Sequence, residues 1–194
     1  MWVLPSRARP HNCARLFAAE WNTPGVLCVD DDDPSLGAYR SLTLPPGWTM
    51  DVGSRGPLSL IYNRAFNANP TRQWYGVLAD DVLPETMRWD SRLVKAALPD
   101  GMAFGDDGIN GQRHATHFVL AGELVRRVGW LALPGLQRLY IDTVWNDIAR
   151  DVRRYLPDVL LTHLHFSNGK ALRDATYRKP KGDRAIYERW KERQ

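Results

Sequence analysis

The chain has 194 residues, 44% hydrophobic and 25% charged, with a formal net charge of +4. That length supports one domain with a sizeable core, and the ordinary globular balance excludes disorder as the default state. No apolar run approaches the roughly 20 residues of a membrane span and no secretory leader pattern opens the chain, while the isolated Cys13 and Cys28 suit a reducing cytosol.

The first predicted element is a short buried strand, Trp2–Leu4, ended by Pro5-Ser6. Leu16, Phe17 and Ala19 recur at helical spacing between Asn12 and Trp21, and Gly25–Val29 is a second apolar run leading into Asp30–Asp33. Strand, helix, strand within about 30 residues is the βαβ pattern of a parallel sheet. Arg40 to Gly53 reads as turn-rich through Pro45-Pro46-Gly47, and Leu58 to Asn67 as a helix stopped near Pro70. Trp74–Leu78 is a third strand running into Asp80-Asp81, after which Pro84-Glu85-Thr86 is expected to open a helix reaching Ala97.

Met102–Phe104 is a fourth strand, ending at Gly105-Asp106-Asp107-Gly108. Thr116–Leu120 is a further strand and Glu123–Val128 a short helix. An amphipathic helix is expected from Ile141 to Tyr155, and the last strand, Val159 to Phe166, carries His163 and His165. The fold class is therefore α/β, one domain over residues 1–169 with a mostly parallel central sheet flanked by helices. Residues 170–194, with nine basic and four acidic side chains, are expected to be a basic tail or helix packed on that domain or extending from it.

Polar and acidic residues follow the carboxyl end of one apolar strand after another: Ser6-Arg7, Asp30-Asp31, Asp80-Asp81, Asp106-Asp107. Open α/β sheets bind ligands at those ends, so four such clusters on one edge make an acidic, metal-ready cleft. Taken singly, an Asp after a strand is also an ordinary turn residue or helix cap. There is no Walker A sequence, no GxGxxG after the first strand, no GxSxG and no HExxH. P-loop, dinucleotide-binding, α/β-hydrolase and zincin chemistries thus have no motif.

Pro5-Ser6-Arg7-Ala8-Arg9-Pro10 after the first strand and Val29-Asp30-Asp31 after the second resemble the opening of GT-A fold glycosyltransferases related to family 2. Tyr75-Gly76-Val77-Leu78-Ala79-Asp80-Asp81-Val82-Leu83-Pro84 is similar to their metal motif, usually written DxD, with Ala79 in place of the first acid. Leu139-Tyr140-Ile141-Asp142-Thr143-Val144-Trp145 resembles the acidic acceptor-side motif. Thr162-His163-Leu164-His165 with Gly169-Lys170 resembles the C-terminal metal and phosphate segment of compact, phage-type members. A QxxRW motif is absent, which speaks against a processive role.

The resemblance implies a Rossmann-like GT-A domain that transfers a sugar from a nucleoside-diphosphate sugar, UDP foremost, to a hydroxyl acceptor. A hard cation, Mn²⁺ or Mg²⁺, bridging the two phosphates stabilises the leaving charge. Asp81 is its expected carboxylate ligand, and one of His163 and His165, i and i+2 on a strand and so on one face, its second. Pro5, Ser6, Arg7, Asp30, Asp31, Arg55, Asp80, Asp107 and Lys170 are expected at the donor, with Arg7 and Lys170 on phosphate and Asp80 toward the ribose or a metal-bound water. Asp142 is the expected base of an inverting transfer, with His117 and Trp145 on the acceptor side. Plainer readings stand beside these: a capped turn for Asp80-Asp81, a helix-start acid for Asp142, backbone-bonded histidines, and solvated charges for Arg7 and Lys170.

The acceptor stays open. A hydroxymethylated base in DNA, flipped out of the duplex, suits the basic segment with Tyr177, Tyr187 and Trp190 interleaved; small molecules, proteins and glycans are also allowed. A sugar-phosphate nucleotidyltransferase uses the same fold and metal chemistry, but its glycine-rich GxGxR-like loop is missing from Pro5–Arg9. A non-catalytic nucleic-acid-binding module leaves the acidic strand ends unexplained.

Overall fold

A computed structural model gives the structure of residues 1–165, 168–170 and 181–194. The chain begins with β1 (Trp2–Ser6), α1 (Pro10–Phe17) and β2 (Gly25–Asp30), the two strands pairing in parallel from Trp2↔Gly25 to Ser6↔Val29. Pro10 sits in the first turn of α1, where its missing N–H has no intrahelical partner to lose. Next come α2 (Leu36–Arg40), β3 (Thr49–Gly53), α3 (Leu58–Ala68), β4 (Trp74–Val77), β5 (Val82–Pro84) and α4 (Trp89–Ala97). The remaining elements are β6 (Met102–Asp106), β7 (Phe118–Ala121), α5 (Gly122–Val128), α6 (Ile141–Ile148), β8 (Arg153–His163) and α7 (Asp183–Lys191).

The strands form one mixed, mostly parallel sheet in the order β3-β2-β1-β4-β7-β6-β8-β5, with β7 and β5 antiparallel to their neighbours. The chain winds outward from β1 to β3 and then returns to place β4 on the other side of β1. That reversal opens a crevice at the carboxyl ends of β1, β2 and β4.

Successive strand residues serve opposite faces of the sheet. Val3 joins the apolar cluster beneath α3, α5 and α6 with Val26, Tyr62, Phe118 and Trp145. Trp2 and Leu4 join the cluster beneath α1 and α4 with Leu16, Leu27, Trp89 and Leu93. Both faces are covered, so β1 and β2 read as continuous apolar runs without alternation. Gly76 of β4 is required by this packing, because a Cβ there would stand 2.1 Å from the Trp2 ring.

Three expected elements differ. The stretch from Arg40 to Gly53, expected to be turn-rich, follows directly on α2 and contains β3; β3 lies at the sheet edge and is partly accessible, so it lacks the apolar run that marks a buried strand. The helix expected from Pro84 starts only at Trp89. Val82–Pro84 instead pairs with β8 at the opposite edge, a position that tolerates proline. The helix expected to reach Tyr155 ends at Ile148, and after a 3-10 turn, Arg150–Val152, the chain enters β8. Arg153 to Leu156 then pairs in parallel with Met102 to Gly105, so sheet pairing overrides a helix-compatible sequence. β8 irregularly shifts register before Leu160 and runs on to Val82↔His163; Phe166 lies outside the described residues.

Of the basic segment, residues 171–180, with Arg173, Tyr177, Arg178 and Lys179, also lie outside the described residues. Its last part forms α7, whose Ile186, Tyr187 and Trp190 pack on the cluster beneath α3 and α6. Among the described residues no helix is long and apolar enough to cross a membrane.

Candidate functional site

A cavity of about 640 Å³ opens at the carboxyl ends of β1, β2 and β4. It is large enough for a nucleotide-sized ligand. Pro5, Ser6, Arg7, Asp30, Arg55, Asp80, Asp81, His117, Asp142, His163 and His165 all line it, so most of the expected residues meet in one place.

The loop after β1 forms one wall. Ala8 adopts a left-handed conformation, φ 55°, held by its N–H to Asp33 Oδ2 at 2.8 Å. The N–H of Arg9 donates to the hydroxyl of Tyr39 at 2.9 Å. That hydroxyl bonds Ser6 Oγ at 2.6 Å, and Ser6 Oγ donates to Asp80 Oδ2 at 2.6 Å. Arg9 Nη1 stands 3.4 Å from Asp80 Oδ1 and Asn12 Nδ2 3.5 Å from it. Asp80 therefore bonds the β1 loop and helix α1 while it lines the cavity. Burial raises its carboxyl above the ordinary range, and the adjacent Asp81 adds to the shift. Arg7 bridges Asp30 at 2.7 Å and Asp32 at 2.6 Å, so it is tied to the β2 end of the cavity rather than standing as a lone phosphate ligand.

The floor is different. Asp81 Oδ1, His163 Nδ1 and His117 Nε2 are buried and have no hydrogen-bond partner among the described residues. Nε2 of His163 lies 3.5 Å from that same Asp81 oxygen, and the His163 ring centre lies 5.0 Å from His117 and 5.2 Å from His165. Backbone pairing creates this cluster: His163 N–H donates to Asp107 O at 3.0 Å, and Leu164 N–H to Asp81 O at 2.7 Å. Burial works to raise the Asp81 carboxyl, but the imidazoles of His163 and His117 outweigh it and hold it below the ordinary range. Burial, aided by His163, pushes His117 down to about 4, so it is neutral at pH 7.

Orphaned buried acceptors are costly unless something satisfies them. A cation at Asp81 and His163 would do so, and the donor set of one carboxylate with imidazole fits a divalent metal. Among the described residues no three His, Cys, Asp or Glu side chains form a ready cage. That too fits a hard cation held by one or two protein groups, with diphosphate oxygens and water completing its shell.

Asp142 lies in the first turn of α6, entered through Tyr140 at φ 68°. Its Oδ1 accepts the N–H of Thr143 at 2.8 Å and its Oδ2 faces His114 Nε2 at 3.0 Å.

Four expected residues do not reach the cavity. Trp145 is fully buried and donates its indole N–H to Leu131 O, because α6 turns Ile141, Val144 and Trp145 inward together. Asp107 folds back on its own loop, accepting from the N–H groups of Ile109 and Asn110, the Asn110 amide and the Thr116 hydroxyl. Asp31 is exposed and uses its N–H on Gly53. Lys170 is exposed and bonds His165 O through its backbone. The sequence reading missed Arg9, Tyr62, Thr116, Arg138 and Tyr140 in the lining. Arg9 and Tyr140 lay within the quoted motifs; nothing in the pattern singles out the others.

No protein-family model matches the sequence, and no curated protein sequence matches it. Solved structures do match the fold. The chain is similar to the mannosyltransferase PcManGT from Pyrobaculum calidifontis, in complex with GDP-Man and Mn²⁺, at TM-score 0.62 and 14% identity, over 84% of this chain and 55% of that one. It is similar to S. aureus TarS 1–349 at TM-score 0.55 and 12% identity, over 82% and 58%. It is also similar to a homolog of Mycobacterium tuberculosis rv0371c from Mycobacterium sp. strain JC1, at TM-score 0.55 and 12% identity, over 97% and 93%. The chain thus spans little more than half the length of PcManGT and TarS 1–349. At these identities the likeness is one of fold. The chain has the GT-A fold found in nucleotide-sugar transferases.

Proposed function

We propose that the protein is a metal-dependent glycosyltransferase that moves a sugar from a nucleoside-diphosphate sugar, with UDP as the first candidate, to a hydroxyl acceptor. The observation that carries this is the orphaned Asp81–His163 pair on the floor of a cavity that also holds Asp142. Asp81 and His163, with His165 beside them, would hold Mn²⁺ or Mg²⁺. When bound, the cation neutralises charge on the departing diphosphate. Asp30 with Pro5, Ser6, Arg7 and Arg9, which line the cavity, would take the nucleoside end.

Asp142 is the base. The acceptor O–H breaks and its proton passes to the carboxylate. The acceptor oxygen then bonds the anomeric carbon as the carbon–phosphate-oxygen bond breaks, its electron pair leaving with the diphosphate. A single displacement of this kind inverts the anomeric configuration.

The mannosyltransferase complex with GDP-Man and Mn²⁺ supports both donor class and metal. The test is thermal stability with UDP or GDP, each with and without Mn²⁺. A ligand that binds only the native state raises the melting temperature. A metal-dependent rise that Asp81→Ala abolishes is the expected result; no rise with either nucleotide overturns the donor assignment. Release of nucleoside diphosphate rather than pyrophosphate separates this activity from nucleotidyl transfer. A hydroxymethylated DNA duplex belongs among the acceptors offered, on the strength of the basic C-terminal segment.

A further inference from the structure

The ring of His114 faces Asp142, although His114 is not among the residues lining the cavity. The contact is built from both sides. Asn146 of α6 accepts the N–H of Ala115 at 3.0 Å and donates to the Ala115 carbonyl at 2.9 Å. The same amide donates to the Asp142 carbonyl at 2.8 Å. One side chain therefore ties the backbone beside His114 to the backbone of Asp142. On the other flank, Arg153 of β8 donates to the Gln112 carbonyl at 2.7 Å, two residues before His114. With its backbone fixed on both flanks, His114 has little freedom to leave Asp142.

We propose that His114 is a positioning residue for Asp142, its Nε2–H holding the carboxylate in the orientation from which it takes the acceptor proton. This rests on the assignment of Asp142 as the base. An ionised carboxylate only accepts, so the proton of the 3.0 Å contact sits on Nε2. Each carboxylate oxygen has two lone pairs, so the bonds from Thr143 and His114 leave room for an acceptor hydroxyl. The charges facing His114 are Asp142 from α6, Arg153 from β8 and Asp107 from the loop after β6. The bond to Asp142 raises the imidazole above its ordinary value, against burial and Arg153. A protonated His114 makes an ion pair that weakens Asp142 as a base, whereas the neutral ring keeps the N–H without the charge. Turnover therefore rises with pH as His114 loses its second proton.

The experiment uses the full chain with Mn²⁺ and either UDP-glucose or GDP-mannose, water serving as acceptor, and follows nucleoside diphosphate release from pH 5.5 to 8.5. His114→Ala is expected to lower kcat on the order of 10- to 100-fold with the nucleotide-plus-metal thermal shift kept. His114→Gln retains an N–H donor but cannot titrate, so it should recover turnover at pH 8 and lose the acid-side fall of the wild type. A Gln variant with the wild-type pH profile, or an Ala variant with unchanged kcat, overturns the role of His114. Asp142→Asn with wild-type turnover overturns the base assignment instead. If release is too slow to follow, NMR titration of the His114 Hε1 proton decides. A midpoint above the ordinary histidine value that drops in Asp142→Asn supports the pair, and a midpoint that ignores Asp142→Asn removes it.

Discussion

The carboxylate of Asp183, the first residue of α7, accepts the backbone N–H of Leu139 at 2.8 Å, in the loop that leads into α6. It also takes the N–H groups of Gln137 at 2.8 Å and Arg138 at 3.0 Å, and it is 1% exposed. One turn later Tyr187 stacks on Tyr140 with ring centres 5.0 Å apart and donates its hydroxyl to Asp147. Lys191 adds a bond to the same Asp147 carboxylate. A helix from the basic end of the chain thereby fixes the cavity wall that runs from Arg138 to Asp142.

Removing that carboxylate should cost both stability and turnover. Asp183→Ala leaves three backbone donors without their acceptor, and one buried unsatisfied polar group costs about 1–3 kcal/mol. A loss of about 2 kcal/mol or more in urea unfolding is expected. Asp183→Asn, which keeps an acceptor oxygen, should fall between it and the wild type. A loss below about 0.5 kcal/mol, the scale of an ordinary surface substitution, would mean that the loop holds its own shape.

Asp107 should prove a stability residue and not a donor ligand. Burial works to raise its carboxyl, but the bonds from Asn110, Ile109 and Thr116 outweigh it and bring it to about 2 from the ordinary 3.8. A depressed carboxyl stabilises the fold above its unfolded value, and that contribution fades as pH falls from about 4 toward 2. The shift corresponds to about 2 kcal/mol. Asp107→Asn is expected to lose about that much at pH 7, to close on the wild type as pH falls to about 2 and below, and to keep the nucleotide-plus-metal shift. Lost nucleotide binding in a stably folded variant would return Asp107 to the donor site.

The strands that position the site were legible because β1, β2, β4 and β6 are covered on both faces and read as apolar runs. β3 and β5 were not, one an accessible edge and the other three residues long. The start of β8 was hidden by Arg150 to Arg154, whose charges suit a helix until β6 supplies a parallel partner. Asp30 at the end of β2 and Asp80-Asp81 after β4 follow such runs and line the cavity, whereas Asp31 does not. The same signal stands at Asp107, which folds back on its own loop outside the cavity lining, because a loop cap and a ligand acid look alike until the loop is folded. Trp145 follows Asp142 by three positions in a recognisable motif, yet only the inward face of α6 decides its fate. Ser6 with Asp80 and His114 with Asp142 are pairs 74 and 28 residues apart, and no local pattern announces them.

Neutralising Asp80, the acceptor of the Ser6 hydroxyl, should run against the usual effect of removing a buried charge. Asp80 is 6% exposed and receives bonds from Ser6, Arg9 and Asn12, all of which favour the ionised form. Burial and the neighbouring Asp81 nonetheless leave its carboxyl above the ordinary value. A carboxyl raised in the fold carries a penalty for ionising there, which grows as pH rises and disappears below the unfolded value near 4. Asp80→Asn keeps an oxygen for the Ser6 hydroxyl and removes the charge. In the absence of metal it should therefore melt at or above the wild-type temperature at pH 7.5, with any advantage closing as pH falls toward 4. Ser6→Ala, by contrast, strips a bond from the ionised carboxylate and should destabilise by about 1–3 kcal/mol at pH 7.5. With metal and nucleotide present the Asp80→Asn advantage should shrink, because the lost negative charge lies beside Asp81. An Asp80→Asn protein that melts well below the wild type at pH 7.5 and recovers at pH 4 would reverse the sign, showing that the ionised carboxylate is favoured by its three partners despite its burial.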